Sequence, residues 1–440
     1  MNRFSAVIIS SLLAICTARS AAQTDPAALR RATERKIESY LKHGVAGHYF
    51  PGGQLVIGSK KGVIYSTAVG SFDYSGSHAV TETDLYDLAS VTKIMSTTLA
   101  VMTLYGEGRI KLSDRIGTLV PRYGGSAISN ITVRDLLRHT SGMKAIIKVC
   151  ELACKPLCDT VTLLSGKRDS IHTVAVDAHT YMVDTFAYDT RYVSLVRDST
   201  ALFEISPGLW ARQPLLTAID SAVVASFQPE RRGRYRYSCL NFYLLQQAIE
   251  ELSGETLDRF VGAIYERMGL GSIGYKPLGW CDIENIAPTE YDLLMRRRTI
   301  RGYVHDEMSA SLGGVCGNAG LFANGRDVAS LCQMFLSGGK WRGMQIIKPE
   351  VINLFTSEQM SPSSRVNRGL GFDKLKREPY GAASYGHTGF TGTYFWCDPS
   401  LDLYAVLLTN GVYPSRIQKT INGNYRNRIW ELAKELRKRQ

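Results

Sequence analysis

The sequence predicts an α+β protein: an antiparallel sheet flanked by helices, drawn from strands near both chain ends and interrupted by an inserted, mostly helical domain. Three observations predict it. Two apolar runs meet across a charged glycine turn early in the chain. Three more apolar runs lie close to its end. Between them the apolar spacing is mainly helical. At 440 residues the chain can hold two domains. The expected division is a leader over 1–22, a sheet domain from 23–85 with 295–440, and a mostly helical domain over 86–294.

Met1-Asn2-Arg3 followed by an apolar run to Cys16 and the small residues Ser20-Ala21-Ala22 reads as a secretory signal peptide cleaved near Ala22. Ile15 is bulky for a lipid-anchor site at Cys16, so the expectation is an exported, periplasmic or cell-envelope protein. No later segment is long and apolar enough for a transmembrane helix. Residues 27–41 have the spacing of an amphipathic helix, with Ile37, Tyr40 and Leu41 on its apolar side. Residues 53–59 and 63–69, joined through Lys60-Lys61-Gly62, read as a β-hairpin. From Ser90 an apolar run through Leu99 to Met102 predicts a helix. Thr132 is placed as N-cap of a helix running towards Gly142. Residues 144–225 carry no readable pattern and form an atypical insert. Helical spacing returns from Leu240 to a stop at Gly254, and again over 326–336. The closing strands are placed at 385–391, 392–397 and 403–408, with Asp398-Pro399-Ser400 turning the last pair, and a final helix at 417–438.

The formal charge is +12, with basic residues dispersed except at the C-terminal end. No basic stripe or known module points to nucleic acid. In an exported protein such a charge favours an anionic envelope. Of nine cysteines, Cys332 sits in an apolar helical run as a buried thiol. Cys150, Cys154 and Cys158 would share a face if their stretch were helical; unpaired thiols, bridges elsewhere and a soft-metal site all stay open, and no recognised ligand spacing is matched.

The stretch with chemical promise is Ser90-Val91-Thr92-Lys93. Residues i and i+3 adjoin on a helix, so hydroxyl and amine meet at a helix start that offers unpaired N–H groups and a positive field. The same S-x-x-K spacing begins at Ser39, Ser141 and Ser337, but those fall late in a charged helix, in a loop and in a turn. Only Ser90 opens a long apolar run.

Two further elements stand in order with it: Tyr237-Ser238-Cys239 and His387-Thr388-Gly389. Together the three resemble the S-x-x-K, S-D-N and K-T-G elements of the serine β-lactamase and penicillin-binding protein superfamily. The tyrosine and the H-x-G form resemble its class C-like branch, which includes DD-carboxypeptidases, D-aminopeptidases and esterases. The phrases over 132–142, 301–307 and 386–393 are also similar to that branch. The resemblance implies a β-lactamase/transpeptidase-like fold. It also implies that Ser90 is an acylated nucleophile, with Lys93 and Tyr237 moving its proton. The backbone N–H groups of Ser90 and Phe390 would then form an oxyanion hole, with His387, Thr388, Gly389 and Cys239 binding substrate. Burial is expected to favour a neutral Lys93. His387, partly charged near neutrality, would meet Tyr237 or a substrate carboxylate, and Gly389 would clear the approach of substrate. Cys239 stands where the family usually has Asn or Asp, and a thiol is a weak donor. His305, Asp306 and Asn318 are set aside as loop packing. No metal or cofactor is implied.

The implied activity is that of an exported serine hydrolase acting on a D-amino-acid-containing cell-wall peptide or a small ester, with β-lactams as further candidate ligands. The alternatives are a β-lactamase, or a catalytically weak receptor-like penicillin-binding protein.

Overall fold

The computed structural model describes residues 25–158, 160–361, 364, 366–375, 377–417 and 423–439. The expected leader lies outside the described residues.

Helix α1, Pro26–Ala46, starts at Asp25, whose carboxylate accepts the N–H groups of Ala27 and Ala28, with proline at its first position. The hairpin follows as β1, Gly52–Ser59, and β2, Gly62–Gly70. A short strand β3, Tyr86–Asp87, leads into the Ser90 segment. That segment is not the single α-helix expected. It begins as a 3₁₀ turn over Ala89–Val91, widens into a π-helix over Lys93–Thr98, and becomes α-helical only as α2, Leu99–Gly106. The π stretch is fully buried, and its Thr97 hydroxyl donates to the Gly317 carbonyl at 2.7 Å.

Helix α3 occupies only Val133–Leu137. Thr132 caps it in a reciprocal box with Asp135, as expected, but the helix ends five residues short of Gly142. His139 adopts a left-handed φ of 57° there, and its buried ring accepts the Ser238 N–H. The unreadable stretch consists of short strands between Cys154 and Arg212, followed by α4, Gln213–Ala225. Cys150 ends up in a single helical turn and Cys154 in a strand, so the three cysteines do not share a helical face. Helix α5, Leu240–Ser253, stops at a left-handed Gly254, and α6 is Leu257–Met268. Helix α7, Gly325–Leu336, precedes the closing strands β4, Tyr385–Thr388, β5, Tyr394–Asp398, and β6, Leu403–Thr409. Helix α8 is Gly423–Arg437; the start expected for it at 417 falls partly on residues outside the described set.

The five strands form one antiparallel sheet in the order β4-β5-β6-β1-β2, so the N-terminal hairpin adds to the C-terminal strands through β1 and β6. Every residue of β1 and β6 is buried, because both faces of the sheet are covered. Alternation divides them. Leu55, Ile57, Leu403 and Leu407 pack with Ile37 and Leu41 of α1 and Trp430 and Leu436 of α8. Val56, Val406 and Leu408 face the opposite core with α7 and the buried run of α2. Each such leucine or valine contributes about 1.5–3 kcal/mol.

Candidate active site

The sheet edge strand β4 and the start of the Ser90 segment are stapled together by side chains of the β4–β5 turn. Thr391 Oγ1 donates to the Asp87 carbonyl and Thr393 Oγ1 to that of Leu88, both at 2.8 Å. Gly389 is required by this contact: a Cβ there would lie 2.0 Å from Thr393 Oγ1 and 2.5 Å from the Leu88 oxygen. The glycine therefore lets the strand close on Thr393 and on the Leu88 carbonyl. On the other side of the staple, Ala89 holds a left-handed φ of 46°, and its N–H donates to Asp87 Oδ1. A non-glycine residue in that region carries strain of about 1–3 kcal/mol. The strained residue immediately precedes Ser90.

Lys93 is fully buried. Its Nζ donates to Ser90 Oγ at 2.9 Å, to the Asn318 carbonyl at 2.9 Å and to Cys239 Sγ at 3.4 Å. The Tyr237 ring lies beside them, with Lys93 Nζ 5.2 Å from its centroid, and its phenol couples electrostatically to Lys93. Burial disfavours the lysine ammonium, but Cys239, Tyr237 and Asp306 more than offset it, so Lys93 is held above its ordinary range. The expectation of a neutral lysine is thus overturned by the neighbours burial brings with it. Burial pushes the Tyr237 phenol and the Cys239 thiol up, even with Lys93 pulling both down.

His387 is buried, with its ring centroid 6.0 Å from that of Tyr237. Its Nδ1 bonds to the Thr388 carbonyl at 2.7 Å, and its Nε2 has no partner among the described residues. Burial, with Arg368 and Lys93 nearby, drives its pKa well below the usual histidine value. The shift favours the neutral ring over the partly charged one expected, and of the two expected neighbours it is Tyr237 that lies beside it. Its neighbour His139 is neutral for the same reasons and packs 4.6 Å from the Tyr237 ring.

Ser90, Tyr237, His387, Thr388, Gly389 and Phe390 line one cleft of about 420 Å³. The Phe390 N–H makes no hydrogen bond among the described residues. Ser90 sits in the first turn of its 3₁₀ segment, where an N–H has no helical acceptor. The cleft also contains Tyr235, Arg368, Asp373 and Arg426, which carry no sequence motif. Arg368 is ion-paired to Asp373 and donates to the Gly371 carbonyl at 2.7 Å. Arg426, in the first turn of α8, has a buried Nε without a partner among the described residues. An adjoining cleft of about 580 Å³ shares Tyr235, Arg368 and Asp373 and adds Arg377.

The three residues set aside on sequence grounds all bear on the site. Asn318 supplies the carbonyl that holds Lys93, and the His305 ring packs, tilted, 5.4 Å from the Phe390 ring. Asp306 acts on Lys93 through its charge. The glycine-rich passage around Asn318 was the signal available for the first. Among the described residues no group of three His, Cys, Asp or Glu is arranged to hold a metal, and no helix is long and apolar enough to cross a membrane.

Comparison with known proteins agrees with the fold. The chain is 28% identical over 394 residues to an Escherichia coli (strain K12) protein named "Putative D-alanyl-D-alanine carboxypeptidase", covering 82% of this chain and 78% of that one. It is 26% identical over 422 residues to the N-acetylmuramyl-L-alanine amidase of Bacillus subtilis (strain 168), covering 89% and 83%. Among solved structures it superposes on EstCE1, a hydrolase with promiscuous acyltransferase activity, with a TM-score of 0.64 at 17% identity over 92% of this chain and 99% of that one. The sequence profile of the beta-lactamase family matches residues 37–149 and 201–426, more than half of the chain. With the antiparallel sheet and the Ser90 segment docked on its edge, this makes the protein a member of the beta-lactamase family.

Proposed function

We propose that the protein is an exported serine hydrolase that works through an acyl-enzyme on a D-amino-acid-containing cell-wall peptide. The observation that carries this reading is the Lys93–Ser90 hydrogen bond with the Tyr237 ring beside it and a Phe390 N–H unpaired among the described residues nearby, in a cleft walled by Arg368 and Arg426. Ser90 Oγ attacks the carbonyl carbon and forms the new C–O bond. Its proton passes to the Lys93–Tyr237 pair, and the oxyanion is held by the N–H groups of Ser90 and Phe390, each worth about 2.7–4 kcal/mol. The C–N bond then breaks, with the leaving amine taking the proton from Tyr237. Water, activated by the same pair, hydrolyses the ester to free Ser90.

A peptide ending in a free carboxylate suits the cationic wall, where Arg426 has spare donor capacity and His387 is uncharged. The names of the Escherichia coli and Bacillus subtilis relatives support a wall-peptide substrate. On this reading the cleft lies at the seam between a sheet unit, 23–85 with 295–440, and a mostly helical unit, 86–294. A small ester is the second reading, favoured by Cys239, whose thiol orients a substrate amide poorly.

The test is to incubate the protein with a wall peptide ending in D-alanyl-D-alanine, a reporter penicillin and a short-chain nitrophenyl ester, and to weigh it intact. A covalent adduct lost in Ser90→Ala, with release of D-alanine, is expected. Activity that survives Ser90→Ala rejects the nucleophile. Ester turnover alone selects the second reading, and neither adduct nor turnover with any of the three substrates rejects both in favour of a receptor.

A further inference from the structure

The positive charge that looks dispersed in the sequence is gathered by the fold. Leaving aside Arg426 in the catalytic cleft, α1, the β1–β2 turn and residues 423–440 hold twelve Lys and Arg against four carboxylates. Asp25, Asp402 and Glu378 pair with three of the cations. Helices α1 and α8 lie antiparallel: Tyr40 stacks on Tyr425 at 4.5 Å, and further along Thr33 and Lys36 reach Glu435 at 3.2 and 2.7 Å.

Two open clefts follow this seam. One of about 620 Å³ is lined by Arg35, Lys36, His43 and Arg428. The other, about 380 Å³, lies between Arg30, Lys61, Arg437 and Arg439. From Arg30 to His43 the track is about 20 Å long at the helical rise. The side chains of Arg35, Lys42, Lys60, Lys61, Lys438 and Arg439 are exposed and have no acidic partner among the described residues. Neither cleft shares a residue with the one at Ser90.

We infer that this seam binds an extended phosphate-bearing polymer, tethering the enzyme while its catalytic cleft stays open. Shape separates this partner from a lipid bilayer. The cations line concave clefts, and Val63 is the one large exposed apolar side chain among the lining residues, whereas a bilayer surface favours several apolar side chains to insert. A single strand carrying a charge every few ångström matches two cationic clefts in line, and its attraction weakens with salt as bound counterions are released. Binding at the seam stands independently of the hydrolase reading; only the turnover control rests on it.

The probe is linear inorganic polyphosphate titrated into the full chain at several salt concentrations, with nitrophenyl ester turnover followed in parallel. Arg35→Glu/Lys61→Glu/Arg439→Glu is expected to bind at least about tenfold more weakly with a shallower salt dependence, at unchanged turnover. Lys111→Glu/Arg259→Glu/Arg267→Glu, the same change in net charge on other elements, is expected to stay within about twofold of the parent. If the first triple variant fails to fold by circular dichroism, Lys61→Glu alone at the hairpin tip takes its place, with a loss of about threefold. Equal losses in both triple variants, no binding by the parent, or tighter binding to duplex DNA or anionic phospholipid vesicles than to polyphosphate would each overturn the inference.

Discussion

A lysine ammonium that donates to Ser90, Cys239 and the Asn318 carbonyl at once has no lone pair to offer a serine proton. With Lys93 and Tyr237 both displaced upward, the pair must lose a proton before it can accept one. The expected consequence is a kcat/KM for ester hydrolysis that rises with pH through neutrality and keeps rising on the alkaline side, by up to about tenfold per unit for one proton. A plateau already reached below pH 7 would show that the base is free at rest. His387 is the second residue where environment overrides type. A lysine in its place, as in the wider superfamily, would bring an ammonium into a buried site already facing Arg368 and Lys93. His387→Lys is expected to lower stability by on the order of 3 kcal/mol, read as a fall in urea midpoint, without raising carboxypeptidase activity. Improved activity at unchanged stability would mean that the site accepts the charge.

At the scale of elements, the nucleophile is held less by its helix than by the backbone that precedes it. The β4–β5 turn, through Thr391, Thr393 and the bare Gly389, clamps the carbonyls of Asp87 and Leu88. Gly389→Ala should force the strand away from Leu88, lowering kcat by more than tenfold and stability by about 1–3 kcal/mol. Steady-state kinetics with a denaturation curve reads both, and an unchanged kcat would remove the clamp from the mechanism. The helix at Val133 offers a contrasting case, stabilised by its local sequence. Thr132→Ala removes one side of its capping box and is expected to lower stability by about 1 kcal/mol with kcat unaltered. The hairpin, this cap and the Gly254 stop were legible because each rests on neighbours within a few residues. The π-helical turn after Ser90 was not, since it depends on contacts such as that of Thr97 with Gly317, distant in sequence.

For the whole molecule, burial of neutral histidines couples folding to pH. His139 and His387 both have folded pKa values well below 6.5. Below that pH the unfolded chain takes up protons that the folded chain refuses, so stability is complete above about pH 6.5 and falls as pH drops. The slope approaches about 1.4 kcal/mol per histidine per pH unit until the folded pKa is reached. Urea unfolding at pH 5.5 and 7.5 checks the sign, and His387→Asn should flatten the dependence. His305 works the other way: burial lowers its pKa, but Glu290 raises it further, giving a smaller opposing contribution.

The sequence by itself determined the order of the main elements outside residues 144–225, the two halves of the sheet and the three motifs around Ser90, because periodicity, capping and turn chemistry act over a few residues. Only the tertiary structure decided the charge state of Lys93 and His387, since a pKa follows from burial and from partners far away in the chain. It alone brought Arg368 and Arg426 to the cleft, neither of which stands in a motif, and the Asn318 carbonyl to Lys93. It also turned cations scattered over two chain ends into one seam, because the sheet that joins those ends lays α1 against α8.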